Sequence, residues 1–123
     1  MLTTAIASQK GGTGKTTTAI SLSAGLTYKG KRVLLIDMDS QANSSKVLLP
    51  NYQHIPKENT LHRTILWEQN PEQRPMPLSI HPTSVKNLWI APAHILLSDT
   101  DMQLTSAKDH REARLKRQLD QVK

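Results

Sequence analysis

The 123-residue chain contains no cysteine and no phenylalanine, and it has only two Trp, two Tyr and five Gly. The missing cysteine excludes a disulfide framework, thiolate metal sites and a Cys nucleophile within these residues, and it fits a reducing, cytoplasmic setting. With Trp67, Trp89, Tyr28 and Tyr52 as the whole aromatic set, Leu and Ile have to fill the interior. Long apolar runs are also absent. The longest strictly aliphatic stretch is Val33 to Ile36, far from the roughly 20 residues of a spanning helix, so no membrane insertion is expected. Met1 to Ser8 shows no basic start followed by an apolar block, so no signal peptide is expected. At this length one domain fits and two independent ones do not.

Charge is present in excess of one sign. The formal net charge is +6. Residues 1–50 hold six Lys or Arg against two carboxylates and residues 108–123 hold six against three, with a near-neutral middle between them. Such a balance favours anionic partners: nucleotides, nucleic acid or acidic lipid. Arg111, Arg114, Lys116 and Arg117 are expected to form the wet face of a C-terminal helix, although a small basic DNA-binding protein is a third possible reading. His54, His62, His81, His94 and His110 share no metal-ligand spacing. Trp67 and Trp89 are expected to pack rather than to stack on bases.

The chain reads as one domain over 1–123, with an irregular, proline-rich insertion at about 50–86. Thr3 to Ala7 is small and apolar and runs directly into Gly11, Gly12 and Gly14, the pattern of a strand ending in a tight loop. A helix over Lys15–Lys29 follows, with Ala19, Leu22 and Leu26 as its apolar stripe and Gly30 as its stop. Val33 to Asp37 reads as a strand covered on both faces. Strand, helix, strand in some forty residues gives a βαβ unit and a parallel sheet, hence an α/β fold. Further on, Thr60 to Trp67 is a short helix, Asn87 to Ile90 a third strand, and the region from Ser98 two helices. The last carries Leu115, Leu119 and Val122, and Ser98/Asp101 and Ser106/Asp109 resemble capping boxes.

The chemistry concentrates in Gln9 to Thr17. Gly11, Gly12, Thr13 and Gly14 allow successive backbone N–H groups to face an anion, and the helix N-terminus adds its positive end at the same spot. Lys15 can reach the β- and γ-phosphates of a nucleotide, Thr16 can hold Mg²⁺, and Thr17 completes the loop. Asp37 and Asp39 fall at the carboxyl end of a parallel strand, the ligand edge of such a sheet.

The stretch Lys10 to Thr16 meets the pattern K-G-G-x-G-K-[ST], and it resembles the deviant Walker A loop of the ParA/MinD group of ATPases. Leu35 to Asn43 looks like the D-x-D-x-Q-x-N stretch of ParA/Soj-type partition ATPases, and Asn87 to Ala93 is similar to their third strand. The resemblance implies a P-loop NTPase with a Rossmann-like parallel sheet and flanking helices, represented by the N-terminal half of the domain only. It also implies ATP and Mg²⁺ as cofactors and a homodimer formed through nucleotide. By the same resemblance Lys10 would act across that dimer on the partner's phosphates. Asp37 would help hold the metal shell, with Thr16, and Asp39 would orient the attacking water. A ParB-like activator and non-specific DNA are the implied partners, and plasmid or chromosome partition the implied role.

The Walker B strand, the adenine pocket and the DNA-contacting residues are expected beyond Lys123. The first strand would then lack a neighbour at one edge. A marginally folded chain with little ATP turnover is expected, and a non-catalytic remnant that only binds nucleotide is the alternative.

Overall fold

The computed structural model describes residues 2–66, 77–99 and 113–122. Helix α1 (Lys15–Tyr28) starts directly after the glycine loop. It ends at Gly30, whose φ of 75° is left-handed. The Gly30 N–H donates to the Thr27 carbonyl at 2.9 Å and the Lys31 N–H to the Leu26 carbonyl at 3.1 Å. This paired stop turns the chain sharply into strand β1 (Val33–Ile36).

Strand β1 pairs in parallel with strand β3 (Leu88–Ala91), Val33 opposite Leu88 and Ile36 opposite Ala91. The short strand β2 (His81–Pro82) adds antiparallel to β3, giving the order β1-β3-β2. The sheet is therefore mixed, where the residues alone suggest a purely parallel one. Pro82 sits on an edge strand, the place where a missing N–H is tolerated. Asn87, expected as the first residue of the third strand, instead has a φ of 64° in the turn before it.

Alternation along the strands serves two cores. Leu34 and Ile36 face a cluster built on Leu61, Ile65, Leu78, Ala91 and Leu97. Val33 and Leu35 face the other side, with Leu48, Leu49, Leu88 and Ile90. Helix α1 covers this second side through Ala19 and Ile20. Helix α3 (Leu61–Leu66) and helix α4 (Arg114–Leu119) cover the first, α4 through Leu115 and Leu119. The layers are helix, sheet, helix, an α/β arrangement with the parallel pair at its centre.

Three further expectations are corrected. Thr3 to Ala7 forms no strand; residues 2–8 are exposed and irregular, and no described strand offers them a ladder partner. The stripe expected to be buried on α1 is partly outward: Leu22 is 44% and Leu26 38% exposed, while Ser23 and Thr27 are buried. The Thr27 hydroxyl donates to the Ala24 carbonyl at 2.8 Å, which lets a polar side chain face the sheet. Asn43–Leu48 forms helix α2, an element that the residues alone did not mark. Arg114, expected on the wet face, is 2% exposed and donates to the Ile65 carbonyl at 3.1 Å. Lys116 and Arg117 are exposed. Trp67, Asp101, Ser106, Asp109, His110 and Arg111 lie outside the described residues, so the end of the α3 reading and both capping boxes do as well.

Candidate functional site

A helix packed antiparallel to the strand that follows it returns the chain to its own starting level. The N-terminus of α1 and the carboxyl ends of β1 and β3 accordingly share one edge of the sheet. The glycine loop, Asp37, Asp39 and Ala93 all belong to that edge.

In the loop, Gly12 and Gly14 have φ of 69° and 79°, and Gly14 is the residue that opens α1. A side chain at Gly14 would meet no atom within 4 Å, so the left-handed backbone rather than crowding is what calls for glycine there. The loop folds on the Lys10 carbonyl. It accepts from the Thr13 hydroxyl at 3.2 Å and from the Lys15 ammonium at 3.3 Å. The first turn of α1 contains no acidic residue that would oppose an anion at the helix N-terminus. Among the described residues the Lys10 ammonium and the Thr16 hydroxyl have no bonded partner, the first exposed and the second half-buried. An arriving phosphate would take the place of the Lys10 carbonyl as the partner of Lys15.

The acidic pair is divided by burial. Asp39 is exposed, and its Oδ1 accepts from the Gln41 N–H at 2.9 Å, forming the turn that leads into α2. Asp37 is 5% exposed, and its two oxygens accept from the N–H groups of Asp39 and Ser45 and from the Ser45 hydroxyl. Thr16 thus fits a role as metal ligand, whereas the Asp37 carboxylate is already engaged.

Residues that the sequence left unmarked surround this point. Tyr52 donates its hydroxyl to the Ala93 carbonyl at 3.0 Å. Burial, and then the negative charge of Asp37, push the Tyr52 hydroxyl above its ordinary pKa, so it stays a proton donor. Behind the Asp39 turn lies an open cleft of about 270 Å³, lined by Ser40, Gln41, Lys46, Tyr52 and His94 among others, with no residue of the glycine loop in its wall. The spacing of Ser45 and Tyr52 from the loop carries no sequence signal, because only the fold of α2 brings them to Asp37.

Comparison with known proteins gives three results. A family profile described as "AAA domain" matches residues 1–123. The chain is 39% identical over 119 residues to the sporulation initiation inhibitor protein Soj of Bacillus subtilis, covering 97% of this chain and 44% of that protein. It is 38% identical over 111 residues to the chromosome partitioning protein ParA of Myxococcus xanthus, covering 90% of this chain and 36% of that one. Among solved structures, cobyrinic acid a,c-diamide synthase from Mycobacterium smegmatis, with bound ATP analog and magnesium, superimposes with a TM-score of 0.76 at 32% identity, over 94% of this chain and 44% of the other. The chain therefore spans less than half the length of these relatives.

Proposed function

Since the chain belongs to the AAA-domain family that contains the ParA and Soj partition proteins, we propose that it binds ATP with Mg²⁺ and hydrolyses it to drive partition of plasmid or chromosomal DNA. The observation that carries this reading is the Lys15 ammonium resting on the Lys10 carbonyl, inside a loop with left-handed glycines and no acid in the first helical turn. Gly11 to Gly14 would cradle the phosphates with their N–H groups, and Lys15 would bind the terminal ones. Mg²⁺ would be held by Thr16 and phosphate oxygens, with Thr17 beside it, and would neutralise charge that builds up at the phosphates. Asp39 would orient the attacking water, and Asp37 would support the metal shell only from behind. Lys10, exposed and unbonded, would reach the nucleotide of a second copy, which makes dimerisation part of the cycle. A ParB-like activator, non-specific DNA and a cytoplasmic setting complete the proposal. No helix among the described residues is long and apolar enough to cross a membrane.

Calorimetric titration of the 123-residue chain with Mg·ATP is expected to give saturable heat. Lys15→Ala should weaken binding by roughly tenfold or more, as the loss of a charge-assisted phosphate contact implies. Lys10→Ala should leave single-copy binding nearly unchanged and abolish nucleotide-dependent dimerisation. Wild-type protein that gives no heat overturns the proposal. A second reading, nucleotide binding without turnover, is favoured by the exposed, irregular residues 2–8; saturable heat with no ATP hydrolysis, with or without DNA, would establish it.

A further inference from the structure

Four hydrogen bonds meet on the Ser45 hydroxyl and the Asp37 carboxylate, behind the turn that carries Asp39. Ser45 is 0% exposed. Its Oγ donates to Asp37 Oδ2 at 2.7 Å and accepts from the Ala93 N–H at 3.0 Å. The same Oδ2 accepts from the Ser45 N–H at 2.9 Å, and Oδ1 accepts from the Asp39 N–H at 3.2 Å. The Tyr52 hydroxyl holds Ala93 by its carbonyl as well. One serine thus fastens the end of β1, the first turn of α2 and the exit of β3. Bonds to a buried carboxylate are short and strong, and a buried N–H left without its acceptor is costly, so this junction is stiff.

We infer that Ser45 is a positioning residue: it holds Asp37, Asp37 holds the backbone of Asp39, and the place from which the Asp39 carboxylate meets the attacking water is set by a hydroxyl that touches neither water nor phosphate. Asp37 then acts as a clamp: its Oδ2 is filled by the Ser45 N–H and hydroxyl, and its Oδ1 holds the Asp39 N–H. The part of the inference that concerns Asp39 rests on the function proposed above; the clamp itself does not.

Amide hydrogen exchange, followed by NMR on the ligand-free chain, reads the clamp without any nucleotide. In the wild type the Asp39 and Ala93 amides should exchange at least tenfold more slowly than unstructured chain, on the order expected for bonded amides in a rigid junction. Exchange of Asp39 at the unstructured rate overturns the inference, and this arm needs no variant to fold. Ser45→Ala should speed both amides by roughly tenfold while the centre of α1 keeps its rates, and Ser45→Thr, which retains a hydroxyl, should restore them. Equal acceleration throughout the chain would make Ser45 a packing residue and overturn the inference.

With Mg·ADP, Ser45→Ala should bind within about threefold of wild type while ATP turnover falls roughly tenfold. A loss of Mg·ADP affinity beyond tenfold would place the junction in the metal site itself and overturn the clamp. Wild-type chain that binds no nucleotide would sink the proposed function and the Asp39 part with it, and the exchange rates would still decide the clamp.

Discussion

Residue by residue, burial decides which charged groups act on the surface and which hold the fold. Arg114 looked like a surface cation beside Lys116 and Arg117, yet its partner is a carbonyl on α3, 49 positions away, which no local pattern announces. The glycines and lysines of the loop were legible because their chemistry is local: consecutive N–H groups and one ammonium need no distant partner. Ser45 was not legible, for its role exists only once α2 forms. His62 supplies a prediction at this scale. Burial first, and then the charge of His94, lower its pKa from the ordinary 6.5, with Arg63 adding to the effect and Asp99 and the Leu96 backbone opposing it. The folded chain therefore takes up this proton less readily than the unfolded chain. The stability concerned is fully present above 6.5 and is lost as pH falls below it. Urea midpoints at about pH 7.5 and 5.5 should fall further in wild type than in His62→Gln; equal falls would refute the assignment.

Among the elements, α1, β1 and β3 were visible in the pattern with bounds moved by a residue, and α3 and α4 were visible as helices, the expected end of α3 and the expected start of α4 lying outside the described residues. The inward face of α1 was visible only in part: Ala19 packs inward as expected, but Ser23 and Thr27 are buried too, Thr27 with its hydroxyl bonded within the helix, while Leu22 and Leu26 stay partly in solvent. Strand β2 was hidden by its length of two residues and its proline. Helix α2 was hidden because what starts it is tertiary, the Asp37 carboxylate just past β1 accepting the Ser45 N–H. Gly30 offers the test for this scale. Its left-handed φ means that Gly30→Ala should destabilise the chain by about 1 kcal/mol, with α1 and β1 both retained. A urea midpoint unchanged from wild type would show that the α1 stop carries no strain.

For the molecule as a whole, no strand among the described residues pairs with the outer edge of β1, and the segment that the sequence marks as a first strand stays outside the sheet. Hydrogen exchange should find the amides of Thr3 to Ala7 unprotected and those of Leu35 and Ile90 protected. Comparable protection at Ala5 and Leu35 would show that the segment has joined the sheet in solution. Cover on both faces of β1 was readable from its unalternating apolar run, and the resemblance implied that helices supply it. The fate of residues 2–8 was not, because a strand is defined by its neighbour. This leaves the glycine loop moored to α1 on one side and to exposed, irregular chain on the other. A nucleotide arriving there would therefore have to tame a tether as well as meet a pocket, and ordering each backbone residue opposes binding by about 1 to 2 kcal/mol. On the proposed function, affinity would depend on the entropy surrendered upstream of Lys15 as well as on its contacts, and cooling should tighten binding more steeply than a preformed cradle would allow.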